Sequence, residues 1–243
     1  MTHAALPAAA LLFAASQLPA PAARASDWGG LYSTVAIASD YRYQGVSNSD
    51  RHAAIQANVH NFRPDGWYVG VFASQVDFND FGTSYEVDVY GGKNLKLDPK
   101  TELKLDVMYT AFPDNETPGP TYNFWQGKVA VTRRQGPLTL VGLTSYVPEG
   151  SYGSGEAWRI ESEAQYAVSP HLTLKALAGR RWSERNADRT YWSLGAATTW
   201  KHLVFEVRYQ DTDLSKARCG YNPDICGPAL TAAITAVMPL ILF

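Results

Sequence analysis

The sequence predicts an all-β protein, an antiparallel up-and-down transmembrane β-barrel of twelve strands with short periplasmic turns and long extracellular loops. Three observations support this prediction. Apolar and polar residues alternate along successive segments, the connections between these segments are alternately short and long, and aromatic residues gather near the segment ends. Alternation with a period of two is typical of β-strands, because successive side chains leave opposite faces of a sheet.

The N-terminal 25 residues are predicted to be a cleaved signal peptide. Residues 4–20 are rich in alanine and leucine and carry no charge, and Ala23-Arg24-Ala25 has the pattern of a cleavage site. A transmembrane anchor is the alternative, but prolines interrupt the run, whereas a membrane-spanning helix needs about 20 clean apolar residues. The predicted domains are a signal peptide over 1–25 and an outer-membrane barrel over 26–243.

The strands that follow alternate clearly. In the fifth, Leu103, Leu105 and Val107 share one face, while Glu102 and Lys104 share the other. The predicted strands cover residues 30–42, 53–62, 67–77, 84–97, 101–111, 122–134, 138–147, 156–168, 171–181, 190–200, 203–211 and 229–238. The fourth is long, and its glycines at 91 and 92 leave open a bend, a bulge or an extra strand. Pro239 breaks the alternation after the twelfth, and the terminal Phe243 resembles the recognition signal of outer-membrane barrels.

The connections set the orientation of the barrel. Five of them are tight turns, and they lie at 63–66, 98–100, 135–137, 169–171 and 201–202. The last long loop holds Cys219 and Cys226, with six residues between them. In an exported chain this even pair predicts a disulfide, which stabilises by roughly 2–3 kcal/mol for so short a loop. A metal site is not predicted, because no histidine lies near the cysteines in the sequence.

The tryptophans separate a membrane barrel from a soluble β-sandwich, in which several of them would be expected at mid-strand in the core. Here they fall at two levels, which predicts two membrane-interface belts. Trp67 and Trp200 lie beside short turns. The belt near the long loops contains Trp125, Trp158, Trp182 and Trp192.

The polar faces of the strands would then line the lumen of the barrel. The first strand is predicted to continue into 39–47 with Asp40, Arg42 and Gln44 facing inward and Tyr41 and Tyr43 facing outward. The candidate pore-lining residues are Asp40, Arg42, Glu86, Asp88, Glu102, Lys104, Asp106, Lys128, Arg159, Glu161, Glu163, Lys175, Glu206 and Arg208. These charges could pair and fill a narrow barrel, or they could line a wet channel, and both readings stay open.

The resemblance to a known family lies in residues 39–49 together with 53–56, in residues 66–78 and in residues 85–92. They resemble the TorF family, proteobacterial outer-membrane proteins of similar length that are proposed to be porins. The resemblance implies an outer-membrane location and a channel role for small solutes. It supplies neither a solute nor site residues.

Other function classes have little support in the sequence. Without Arg24 the mature chain has 20 basic and 23 acidic residues and no basic stripe, so nucleic acid is not a predicted partner. No catalytic residues, metal or cofactor are predicted, and the expected partners are outer-membrane lipids, lipopolysaccharide and an unidentified small solute. Two alternatives remain: a closed structural or surface-binding barrel, and an outer-membrane lipid hydrolase that uses His60 with a serine near the outer belt.

Overall fold

The computed structural model describes residues 30–80, 82–220 and 222–242, so that the predicted signal peptide and Phe243 lie outside the described residues. The strands are β1 (Gly30–Ala38), β2 (Arg42–Tyr43), β3 (Val46–Ser47), β4 (Ala54–Phe62), β5 (Trp67–Gln75), β6 (Tyr85–Asp98), β7 (Thr101–Ala111), β8 (Phe124–Gln135), β9 (Leu138–Val147), β10 (Ala157–Ala167), β11 (Leu172–Ser183), β12 (Arg189–Trp200), β13 (Leu203–Thr212) and β14 (Ala229–Leu242). In this part of the chain, no helix has the length and apolar character needed to cross a bilayer.

Twelve of these strands form one closed antiparallel barrel, in which each strand pairs with its neighbours in the chain. The barrel closes where β1 pairs with β14, and β1 pairs on its other side with β4. The remaining two strands, β2 and β3, form a small separate hairpin. The predicted fold class, including the strand number, is confirmed. Closure leaves no sheet edge, as a barrel in lipid requires.

The two faces of the barrel have opposite chemistry. Outward side chains at mid-strand are apolar and exposed, such as Val69 and Ile160, both 56% accessible. Their inward neighbours are polar and buried, such as Arg159 and Glu161 beside Ile160. A soluble barrel would bury its apolar face, so this inversion identifies the outer surface as the lipid-facing one.

Strand β6 runs unbroken through Gly91 and Gly92, which pair with Val107 and Asp106 of β7. The extra strand left open by the sequence is therefore absent from this segment. A Cβ at Gly92 would lie 1.9 Å from the carbonyl oxygen of Leu105 and 2.6 Å from the Tyr68 hydroxyl. Only glycine leaves room here for the Tyr68 side chain to cross the inner wall.

The first strand differs from its prediction. It ends at Ala38 instead of continuing to 42, and the chain then turns into the barrel. Tyr41 is only 4% exposed, and Tyr43 also lies in the lumen, so the prediction that both face outward was wrong. Alternation failed because the chain bends at residues 39 and 40, directly after β1. It turns tightly again between β2 and β3, where Gln44 and Gly45 adopt left-handed conformations with φ of 55° and 80°.

The last strand is longer than predicted and includes Pro239. Its partner β1 shifts register between Leu31 and Tyr32, opposite this proline. Proline has no N–H to donate to the ladder, and a local irregularity in the pairing accommodates that missing hydrogen bond.

Candidate functional site

A cavity of about 830 Å³ opens at the long-loop end of the barrel. Its rim consists of loop residues such as Asp80, Tyr122 and Arg185, and its deeper wall includes Glu86 of β6 and Arg159 of β10. We call this cavity the vestibule.

The hairpin formed by β2 and β3 lies at the base of the vestibule and reaches both sides of the barrel. On one side, the Tyr41 hydroxyl just before it donates to Glu86 Oε1 at 2.9 Å. On the other side, Arg189 Nη2 of β12 donates to Gln44 Oε1 at 2.8 Å. Gln126 Nε2 donates to the Tyr43 hydroxyl at 3.4 Å between these two points. The hairpin therefore spans the lumen and narrows it.

Arg42 fastens the hairpin. Its Nε donates to Asp40 Oδ2 at 2.7 Å, and its Nη1 donates to the carbonyl oxygens of Gly45 and Gly227 at 3.0 and 2.8 Å. The Ser47 hydroxyl donates to the other oxygen of Asp40 at 2.5 Å. Charge-assisted hydrogen bonds of this kind are among the stronger ones in proteins, so the hairpin is held rigidly.

The loop between β13 and β14 covers the hairpin from outside. Cys219 and Cys226 form the predicted disulfide in this loop, and Val46 packs against them. The Ser47 N–H donates to the carbonyl oxygen of Ile225 at 3.0 Å. Lys216 Nζ donates to Asp224 Oδ1 at 2.8 Å, and this contact lowers the pKa of the Asp224 carboxyl.

Below the hairpin, one charged network lies on β5, β7 and β8. Lys128 Nζ is 2.8 Å from Asp106 Oδ1, and Lys104 Nζ is 3.8 Å from Asp106 Oδ2. The Tyr68 hydroxyl donates to Asp106 Oδ2 at 2.6 Å. A single carboxylate thus holds two cations and one phenol inside the barrel.

A second network lies on the opposite wall, on β11 to β13. Glu206 accepts from Arg208 Nη2 at 2.8 Å and also pairs with Lys175. Arg208 Nη1 donates to the Ser193 hydroxyl at 3.1 Å. On β10, Gln165 Nε2 donates to Glu163 Oε1 at 2.5 Å.

The structure places the sequence-predicted candidates inside the barrel, where all of them are buried or partly buried. Those on the strands are Glu86, Asp88, Glu102, Lys104, Asp106, Lys128, Arg159, Glu161, Glu163, Lys175, Glu206 and Arg208. Asp40 and Arg42 lie in the segment that folds inward. That these residues line a solute path stays a prediction.

Sequence reasoning missed two inward arginines, Arg181 and Arg189, which both line the vestibule. Parity along β11 from Lys175 leads to Arg181, so the signal was present in the alternation. Arg189 fell one residue before the predicted start of its strand. Strand ends are the least certain feature of a sequence-based prediction.

The predicted belt tryptophans all lie at strand ends on the outer face. Trp67 begins β5 and Trp200 ends β12, and both are beside short turns. Near the long loops, Trp125 stacks against Tyr109 at a centroid distance of 4.8 Å, and Trp158 against Tyr146 at 4.5 Å. The other two members, Trp182 and Trp192, are 38% and 39% exposed.

His60 is not placed for surface hydrolysis. It lies inside the barrel near the short-turn end, 7% exposed, and its ring contacts Phe62 at 4.7 Å. The lipid-hydrolase alternative needed a serine–histidine pair near the outer belt. Outside the barrel, Asp50, His52 and Asp77 approach one another in the loops, but His52 is exposed and the two carboxylates are partly exposed, so ordinary solvation accounts for them.

A closed twelve-stranded barrel with an apolar outer face, a polar lumen and long loops at one end has the architecture of an outer-membrane β-barrel. Solved structures agree with this fold. The NanC porin has a TM-score of 0.58 at 11% identity, over 87% of this chain and 100% of that one. The KdgM porin has a TM-score of 0.57 at 5% identity, over 85% and 98%. An outer-membrane channel from Pseudomonas putida F1 has a TM-score of 0.53 at 11% identity, over 87% and 96%.

The sequence comparison names the family. The chain belongs to the family described as "Bacterial protein of unknown function (Gcw_chp)", whose model matches residues 22–235. No curated protein matches the sequence.

Proposed function

We propose that this protein is a narrow passive channel for small solutes in the bacterial outer membrane, to which it is exported by a cleaved signal peptide. Its partners would be outer-membrane lipids and lipopolysaccharide, and it would need no cofactor and catalyse no reaction. The porin-type fold supports this proposal, and so does the resemblance to the TorF family, whose members are proposed porins.

The observation that carries the proposal is the vestibule, which opens at the long-loop end of the barrel and leads to a lumen lined by ionisable side chains. Glu86, Arg159, Arg181 and Arg189 are among its lining residues. A cavity of about 830 Å³ lined by charged side chains is typical of a barrel that admits water and polar solutes.

The channel would be narrow. Inward side chains such as Asp88 and Thr132 are only 1% exposed, and residues of the hairpin occupy the lumen below the vestibule. Side chains therefore take up most of the cross-section, as expected for a barrel between the filled small ones and the wide porins. Small solutes fit such a path better than large ones.

The closed structural barrel remains the competing function. It would need every inward charge to be paired and a dry interior. The open vestibule favours the channel over this alternative, and the buried position of His60 argues against the hydrolase.

Single-channel conductance of refolded protein in a planar bilayer tests the proposal. We expect discrete, ohmic steps smaller than those of wide porins, because the hairpin narrows the lumen. Folding is checked beforehand by heat-modifiable gel mobility. Folded protein that leaves the bilayer silent would refute the channel and favour the closed barrel.

A further inference from the structure

Three arginines form a row across neighbouring strands at the base of the vestibule. Arg159 of β10 lies directly opposite Arg181 of β11, and Arg181 lies directly opposite Arg189 of β12. All three line the vestibule. Directly opposed residues of an antiparallel pair have Cβ atoms about 4.5–5.5 Å apart, and like charges in that position destabilise a sheet. Repulsion between the three arginines of the row therefore destabilises the barrel.

Neighbouring groups neutralise little of this charge. Arg159 has one carboxylate near it, Glu161, with Nη1 3.8 Å from Oε2, and the same oxygen accepts from the Tyr191 hydroxyl at 2.6 Å. Within residues 30–80, 82–220 and 222–242, we find no carboxylate within ion-pair distance of Arg181 or Arg189, and no hydrogen-bond partner for Arg181. Arg189 Nε is buried and has no hydrogen-bond partner in the same described ranges.

The hairpin supplies neutral groups around the row. The Tyr43 ring lies 5.5 Å from the Arg159 guanidinium, and Gln44 Oε1 accepts from Arg189 Nη2. These contacts orient the two outer arginines and leave Arg181 between them. Glu86 lines the same cavity, but the Tyr41 hydroxyl donates to its carboxylate. Uncompensated positive charge thus concentrates on one wall of the vestibule.

We propose that Arg159, Arg181 and Arg189 form a binding site for the oxyanion group of a small solute, a carboxylate or a phosphate, that enters from the vestibule. Guanidinium groups offer paired N–H donors that match both anions, and an anion here would relieve the repulsion along the row. This inference names the solute class of the proposed channel and rests on that proposal for its role in transport. The site itself can be tested without conduction.

The first experiment compares Arg181→Gln with Arg180→Gln. Among the described residues Arg181 has no hydrogen-bond partner to lose, while Arg180 is the neighbouring arginine on the outer face, beside Trp182. Both variants remove one positive charge from β11. We expect inorganic phosphate and acetate, titrated calorimetrically into the refolded full-length protein, to bind about tenfold more weakly to Arg181→Gln, because a charged hydrogen-bond donor has been lost. Binding to Arg180→Gln should be unchanged.

The two probes also distinguish between the two classes of solute that could carry the anion. Tighter binding of phosphate would assign the site to phosphorylated solutes, and tighter binding of acetate would assign it to organic acids. Equal affinities of the wild type and Arg181→Gln for both probes would overturn the site. So would failure of the wild type to bind either one.

A second variant, Gln44→Glu, places a carboxylate where Gln44 Oε1 now meets Arg189. This internal anion should compete with added phosphate and acetate, and it should raise the thermal stability of the barrel by neutralising the row. Reduced anion binding together with a higher melting temperature would support the site. Unchanged anion binding would contradict it, even if Arg181→Gln failed to refold.

The ion selectivity of the channel is measured separately, as the reversal potential in a KCl gradient. The wild type and Arg180→Gln should favour chloride, and Arg181→Gln should shift toward potassium. If the protein binds anions but does not conduct, the anion site is supported and the channel is refuted. If all three proteins conduct with equal reversal potentials and bind anions with equal affinities, the channel is supported and the anion site is refuted.

Discussion

At the scale of single residues, the lumen depends on close contacts that only certain side chains permit. Tyr68 extends from β5 across Gly92 of β6 and donates to Asp106 of β7, which also holds Lys128. This path exists because Gly92 has no Cβ. One glycine therefore positions a phenol, a carboxylate and a lysine on the inner wall.

Replacing Gly92 with alanine should destabilise the barrel. The new Cβ would overlap the Leu105 carbonyl oxygen, a backbone atom that cannot rotate away. Overpacking of this kind costs about 1–3 kcal/mol. Urea unfolding followed by heat-modifiable gel mobility should show a lower midpoint than for the wild type.

Gly127→Ala is the matched control, because a Cβ at Gly127 meets nothing within 4 Å. Its unfolding midpoint should equal or slightly exceed that of the wild type. If both alanine variants unfolded alike, the close approach at Gly92 would not be the cause.

At the scale of secondary-structure elements, the hairpin of β2 and β3 is the one structure inside the described barrel that does not belong to its wall. It is held from within by Arg42 and from outside by the disulfide loop. The hairpin also contributes Tyr43 and Gln44 to the surroundings of the arginine row. Its position thus couples the width of the lumen to the geometry of the vestibule.

Arg42→Ala should loosen the hairpin and enlarge the path. The change removes the ion pair with Asp40 and two hydrogen bonds to backbone carbonyls, one of which lies in the disulfide loop. We expect larger or noisier single-channel steps than in the wild type, measured in the same planar bilayers.

Arg51→Ala is the control for charge, since Arg51 lies in the same loop but is exposed and reaches only the Asp224 carbonyl, at 3.4 Å. Its steps should match those of the wild type. Reducing the Cys219–Cys226 disulfide should act in the same direction as Arg42→Ala. Unaltered steps in both perturbed proteins would mean that the hairpin does not limit conduction.

At the scale of the whole molecule, the barrel separates its chemistry radially. Apolar residues face outward, tryptophans mark both strand ends, and most of the ionisable residues at mid-strand face the lumen. Around the lumen the charges are unevenly placed, because Asp106 pairs with two lysines, whereas Glu161 lies near only Arg159 of the three arginines in the row. This unevenness gives the vestibule an electrostatic character that the overall composition does not reveal.

The lipid-facing band predicts a depth-dependent penalty for charge. Leu194 lies on the outer face in the middle of β12, 56% exposed. Leu194→Arg should cost about 2–4 kcal/mol in lipid vesicles, because the guanidinium would lie in hydrocarbon. Equilibrium unfolding by urea in vesicles measures this loss.

Leu97→Arg provides the comparison at the rim. Leu97 is equally exposed, at 59%, but it lies next to the short turn after β6. There the expected cost is about 0–1 kcal/mol. Equal costs at the two positions would contradict the assigned membrane band.

The local and periodic features of this protein can be predicted from its sequence. Alternation indicates which residues of the barrel strands face inward, so Lys128, Glu161 and Arg208 could be placed in the lumen without a structure. Turn and loop lengths fixed the topology, and the spacing of Cys219 and Cys226 indicated the disulfide. These features follow from interactions between residues close in the chain, or from whether a side chain faces the lipid or the lumen.

What fills the lumen depends on tertiary contacts. The chain bends after Ala38 and turns back at Gln44 and Gly45, and the position of this hairpin depends on contacts with residues as distant as Glu86, Arg189 and Gly227. The arginine row likewise arises from the register of β10, β11 and β12. Periodicity indicates which face of its strand a side chain occupies. Which side chains of neighbouring strands lie opposite one another is set by cross-strand pairing, and that pairing is not local in the sequence.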